Sequence, residues 1–122
     1  MHHLSKTRRL EPIHWPHGES IYELVGPRSA GTKIHSLFRV EIKPGASSRP
    51  HYHPISEESF YVLEGRGRVE LDGDLGTIEP GDTILVRPGQ HHQIWTLGDE
   101  TLVMILTCVP AWHLSDMVYL DE

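Results

Sequence analysis

A chain of 122 residues can support one hydrophobic core but not two, so a single domain is expected. Its apolar share of 38% is ordinary, and no stretch approaches the ~20 consecutive apolar residues that cross a bilayer, which predicts a soluble chain with no membrane partner. The formal charge of -6 argues against the basic surface that neutralises phosphates, and nucleic acid is excluded as an expected partner.

The N-terminal stretch MHHLSKTRRLEP carries basic residues but neither the apolar region nor the small-residue cleavage site of a secretory signal, so cytoplasmic residence is expected. Lys6, Arg8 and Arg9 read as a solvated terminal segment. Pro12, Pro16 and Gly18 interrupt any regular element. Residues 1–19 are therefore expected as an arm, and residues 20–122 as one barrel domain that includes the C-terminal tail. Ile13 and Trp15 in the arm need cover, which the outer face of the barrel or a second subunit would supply.

From residue 20 onward, runs rich in Val, Ile, Leu, Phe, Tyr and Thr alternate with Gly, Pro and Asp punctuation. That pattern predicts strands and nearly excludes helix. Strands are expected at Ser20 to Val25, Ile34 to Lys43, Ser59 to Leu63, Arg66 to Leu71, Gly76 to Glu79, Thr83 to Val86, His92 to Leu97 and Thr101 to Val109. Pro44-Gly45, Pro88-Gly89 and Pro80-Gly81-Asp82 mark turns, and Asp72-Gly73 suits a hairpin that needs positive φ. An open sheet of so many strands would leave unpaired edges, so the fold class is all-β, an antiparallel β-barrel or jelly roll. The tail from Pro110 to Glu122 carries Trp112, Met117, Val118 and Tyr119 and is expected to pack back on the barrel.

Phe60, Val62, Ile84, Val86, Ile94, Leu102 and Met104 read as a substrate-pocket lining or, for most of them, as barrel core, and alternation places Trp95 on the outer wall or in a subunit contact. Arg39, alternating with Phe38 and Val40, is expected to face solvent, or to be an inward anchor for an anionic substrate if the apolar set faces a dimer partner. Cys108 has no partner for an intrachain disulfide and lies in the apolar run TLVMILTCV, which predicts a buried, inert thiol. His35, Tyr22, Gln93 and Arg87 are candidates for the surroundings of a site, with no geometry attached to them.

Ten histidines are spread along the chain, too dispersed for a tag or a metal-binding tract. Two of them, His51 and His53, are two residues apart, so on a strand both imidazoles point to one face and can share an ion. Glu58 follows, on the same face as Phe60 and Val62, which leaves Glu57 toward solvent. His92 opens a strand after the Pro88-Gly89 turn, where it can bring a third imidazole alongside, while His91 points the opposite way. Three neutral nitrogens and one carboxylate form a borderline donor set that suits one divalent transition metal ion: Mn, Fe, Ni, Cu or Zn.

Gly45, His51, His53, Glu58 and Gly65 fit the motif G(x)5HxH(x)4E(x)6G at every fixed position, and in these residues the chain resembles the cupin superfamily, particularly its small single-domain members. A second motif of that family, G(x)5PxG(x)2H(x)3N, is similar to Gly81, Arg87, Gly89, His92 and Thr96, with Arg87 in place of Pro and Thr96 in place of Asn. The resemblance implies a double-stranded β-helix with a metal inside. Together with the apolar arm and outer wall, it implies a homodimer. It also implies a wide range of activities, so the fold does not choose the function.

A divalent ion with one carboxylate ligand keeps a surplus of positive charge that favours small oxygen-rich molecules, anionic or sugar-like. Three readings stay open. In the first, the chain is a metal-dependent dioxygenase, isomerase, decarboxylase or lyase. In the second, it is a non-enzymatic small-molecule binding or sensing module. In the third, the ion only staples the barrel, and a closed coordination sphere would mark that case.

Overall fold

The computed structural model describes residues 2–121. Its strands are β1 (Ile13–His14), β2 (Glu19–Val25), β3 (Ser36–Ile42), β4 (His51–Tyr52), β5 (Glu57–Glu64), β6 (Arg66–Leu71), β7 (Asp74–Ile78), β8 (Thr83–Val86), β9 (His92–Leu97), β10 (Leu102–Val109) and β11 (Val118–Tyr119). A single α-helical turn, Pro27–Ala30, follows β2. No helix of the described residues is long and apolar enough to cross a membrane.

Two antiparallel sheets result: six strands in the order β1-β2-β3-β10-β5-β8 and five in the order β11-β4-β9-β6-β7. After β5 the chain passes from one sheet to the other at nearly every turn. The hydrogen-bonded pairs stay within each sheet, so the jelly roll closes through packing between two faces rather than through a continuous ring of strands.

Strict alternation builds the interior. Along β3, Ser36, Phe38, Val40 and Ile42 are buried while the residues between them are half-exposed. Register extends this face sideways, because Val40 is paired with Met104 and Met104 with Val62, so the three side chains fall in one row. Ile84, Val86, Ile94 and Leu102 complete the core from both sheets, as alternation predicts. Arg39 and Glu41 face outward, joined by an ion pair of 3.0 Å. Trp95 is on the outer face, paired to Arg68 across the β6–β9 ladder. Cys108 is fully buried, and burial, with the nearby Glu58 charge, pushes its thiol up to about 12. At neutral pH it is a protonated, inert packing residue.

Two turns show why particular residues are needed. At the β6–β7 hairpin, Asp72 and Gly73 both have positive φ, 48° and 90°, which gives the twist that a two-residue hairpin requires. Gly65, at the β5–β6 crossing, has φ 76°, and a Cβ there would meet the Thr101 carbonyl oxygen at 2.5 Å.

Expected and observed strands agree within two residues at most ends, but three short elements depart from the sequence reading. β1, β4 and β11 have two residues each, too few to display a period. β1 pairs with β2, and Trp15 lines the interior cavity, so the arm finds cover within the barrel as well as on its surface.

The tail returns to the body, as its apolar residues predict. Trp112 packs against the core and donates its backbone N–H to Ser36 Oγ at 2.9 Å. Asp116 is the anchor: its buried carboxylate accepts from the backbone N–H of Ile55 and of Ser56, each at 2.9 Å. Removing that carboxylate leaves two backbone donors without a partner. Asp116→Ala is therefore expected to lower the unfolding free energy of the metal-free protein by about 1–3 kcal/mol. Urea denaturation of the two proteins measures the difference, and an unchanged midpoint would contradict the anchoring role.

Candidate metal centre

Pairing of β4 with β9 sets His51 opposite His92. Residues opposed in this way share a face, and the two ring centroids are 4.2 Å apart. His53, two residues beyond His51, presents its ring edge-on to His51 at 4.9 Å. Its backbone is fixed by the following turn, since Gly89 N–H donates to the His53 carbonyl at 2.8 Å. From the other sheet, β5 contributes Glu58 in the inward row with Phe60 and Val62. The four side chains offer ligand atoms that all lie within 4.8 Å of one another, so His51, His53, Glu58 and His92 form a group that could hold a metal ion.

The rings are held from behind. His51 Nδ1 lies 2.6 Å from the Arg49 carbonyl, His53 Nδ1 2.9 Å from that of Asp116, and His92 Nδ1 3.1 Å from that of Gln90. A carbonyl only accepts, so each Nδ1 carries the proton and the lone pair of each Nε2 is left free.

Glu58 Oε1 is 3.1 Å from His53 Nε2 and 3.4 Å from His92 Nε2. Neither contact has the geometry of a hydrogen bond, and all three atoms are buried without a hydrogen-bond partner. Burial pushes the Glu58 carboxyl upward, but the two adjacent imidazoles overcome it and hold the group at about 2. For His53, burial works against protonation, and the Glu58 carboxylate outweighs it, with help from Asp116, so its pKa is raised. His51 goes the other way. Burial first, then repulsion from His92, lowers it to about 4 despite the Arg49 carbonyl. A buried cluster of this kind is costly unless a cation compensates it, and the donor set of three nitrogens and one carboxylate fits a divalent transition metal.

The group borders a cavity of about 60 Å³ whose walls are largely apolar, among them Trp15, Phe60, Ile94, Trp112 and Met117. Its rim is tied to the tail. Arg49 forms an ion pair of 2.7 Å with Asp121, and its guanidinium lies 3.7 Å over the Tyr119 ring. The ligand group thus faces open space on the cavity side.

Other sequence candidates lie elsewhere. His91 is exposed and stacks on Tyr52 at 4.9 Å, and Glu57 faces solvent. His35 and Arg87 are exposed, Tyr22 and Gln93 are half-buried, and none of the four lines the cavity. Gln93 instead donates to the Ser48 carbonyl at 3.1 Å. Both departures from the second motif are absorbed locally. The Arg87 backbone N–H donates to Gln90 Oε1 within the turn, and Thr96 Oγ1 donates to the Ile42 carbonyl at 2.7 Å, across the two sheets. Sequence reasoning missed Glu19, Arg49 and Asp116. The alternation of β2 carries a signal for Glu19, because it shares the phase of Ile21, whereas nothing local marks Asp116.

The Cupin domain family matches residues 38–109, a span that holds all four candidate ligands. An uncharacterised protein of Methanocaldococcus jannaschii is 30% identical over 93% of this chain and 90% of its own length. Among solved structures, the Streptomyces nucleoside dehydratase Pac13 superposes with a TM-score of 0.83 at 17% identity, covering 98% of this chain and 92% of that one. A predicted oxalate decarboxylase of Thermotoga maritima gives 0.76 at 22% identity, over 88% and 98% of the two chains. Motif spacing, jelly-roll topology and a family match over more than half of the sequence agree, and the chain belongs to the cupin family.

Proposed function

We propose that this protein is a metal-dependent enzyme that acts on a small oxygen-rich molecule, anionic or sugar-like, by lyase, decarboxylase, isomerase or dioxygenase chemistry. His51, His53, Glu58 and His92 would hold one divalent transition metal ion. The observation that carries this reading is the set of three buried, partnerless atoms, His53 Nε2, Glu58 Oε1 and His92 Nε2, converging where a cavity begins. Such a bound ion would polarise a carbonyl or hydroxyl oxygen of the ligand. The chain itself contributes the orientation of each donor, through the carbonyls of Arg49, Asp116 and Gln90, and the apolar walls that exclude water.

The cavity favours this reading over a purely structural staple, for which a sphere closed by protein atoms would suffice. Its volume of about 60 Å³ suits an ion with the chelating end of a small molecule. Relatives in fold point the same way, since one is a nucleoside dehydratase and another a predicted oxalate decarboxylase, and both names denote small substrates rich in oxygen.

His53→Ala is expected to remove most bound metal, read by elemental analysis of protein purified without added metal. Retention of a full equivalent would defeat the proposed site. Because binding order favours Cu and Zn during purification, the test concerns the amount bound and not the identity of the metal.

Metal uptake should also release protons in a defined direction. Glu58 and His51 titrate at about 2 and about 4, so near neutral pH both are already free of exchangeable protons, whereas the raised His53 must give one up. Proton release per ion, measured by calorimetry in buffers of different ionisation enthalpy, is expected to grow as pH falls through the raised value of His53, with affinity weakening in parallel. Affinity independent of pH would contradict the assignment of His53.

A further inference from the structure

The cavity holds one acidic side chain that the ligand group does not use. Glu19 opens β2, where its register partner is Ile42, an inward residue of β3. Residues opposed across a ladder share a face, so Glu19 points inward with Ile21, and both line the cavity that His51, His53, Glu58 and His92 border. Its carboxyl has no hydrogen bond or ion pair among the described residues.

We propose that Glu19 is the proton-carrying group of this cavity, a carboxylic acid that donates to an oxygen of a small molecule held on the open side of the ion. This deepens the metal-dependent reading and rests on it. Glu19 is half-buried among the residues that line the cavity, and burial first, then repulsion from the Glu58 carboxylate, raise its carboxyl to about 8. Arg49, His51, His53, Glu58, His92 and Tyr119 also line the cavity. Of these, Glu58 opposes ionisation of Glu19, while the Arg49 guanidinium is engaged by Asp121 at 2.7 Å. In the metal-free protein near neutral pH Glu19 is therefore a neutral acid with a proton to give.

The chemistry balances without a further reactant. As the Glu19 O–H bond breaks, a new O–H bond forms on the substrate oxygen, the electron pair stays on Glu19 as carboxylate, and a proton from water at the mouth restores the acid. A lyase that expels an oxygen needs such a donor for its leaving group, and the four ligands could not supply one while holding an ion.

Two measurements test this. In metal-free protein, infrared titration should show a carboxylic acid band at about pH 6 that disappears near pH 8 and is absent from Glu19→Gln. In zinc-loaded protein, titration with acetate should show binding about tenfold weaker in Glu19→Leu than in wild type, and within about threefold in Glu19→Gln, whose amide still donates. As pH rises the wild type should lose affinity that Glu19→Gln keeps. A band that persists in Glu19→Gln, or wild-type acetate affinity in Glu19→Leu at full zinc content, overturns the proposal. So does loss of zinc from Glu19→Leu, because Glu19 would then be a ligand. Failure of the wild type to take up zinc is a separate result that defeats the metal reading, and the infrared titration still decides whether Glu19 is an acid.

Discussion

A close gathering of buried donor atoms at the edge of a largely apolar cavity is the constraint around which this fold is arranged. Glu58 Oε1, His53 Nε2 and His92 Nε2 lie within 3.4 Å of one another along the two carboxylate contacts, and none is hydrogen-bonded. Outside a binding site, burying polar atoms in this state is a net loss of stability. The barrel nevertheless places them there from both sheets, Glu58 from β5 and the histidines from β4, its continuation and β9. The same closeness that makes the cluster unfavourable when empty makes it a strong trap for a cation, because low dielectric magnifies attraction as much as it magnifies desolvation.

The surrounding structure is best understood as the means of holding those donors still. Each imidazole is fixed by a backbone carbonyl, which costs no side-chain entropy and removes the choice of tautomer. One carbonyl belongs to Asp116, more than sixty residues from His53 in sequence, so a ligand in the first half of the chain depends on the docking of the tail. The Asp116 side chain performs that docking through Ile55 and Ser56, which flank the His53-to-Glu58 connection. Arg49 repeats the arrangement at the rim: its carbonyl orients His51 while its guanidinium binds Asp121 and covers Tyr119.

Much of this was legible in the sequence, and what was not had physical reasons. Strands of six residues or more display their period, and for that reason β3, β5, β9 and β10 and their buried faces follow from alternation alone. The His-x-His spacing and the phase of Glu58 likewise predict a common face, which the structure brings together with His92. Elements of two residues carry no period, so β4 and β11, and with them the pairing of the tail to the site, were invisible. The place of Trp15 in the cavity wall was not legible, because an apolar residue in an irregular arm signals only a need for cover, and never which surface provides it. Asp116 was unreadable because its role lies in the carbonyl and in backbone donors about sixty positions away.

The cavity is asymmetric, and that asymmetry narrows what it can accept. Three histidines and a carboxylate crowd one side, while aromatic and aliphatic side chains from the arm, the barrel and the tail make up much of the rest. Polar groups turned toward Trp15, Phe60 and Trp112 would be left unsatisfied, so under the proposed reading an anionic or sugar-like molecule would direct its chelating oxygens to the side of the histidines and Glu58 and its least polar face to the aromatic wall. Glu19 would add a third requirement: as the proposed proton donor, it would favour an oxygen acceptor placed away from the chelating pair. Selection by three separated features is far sharper than selection by the metal alone. Under the proposed reading, the residues that would distinguish one ligand from another therefore lie on β2, the arm and the tail, and not among His51, His53, Glu58 and His92.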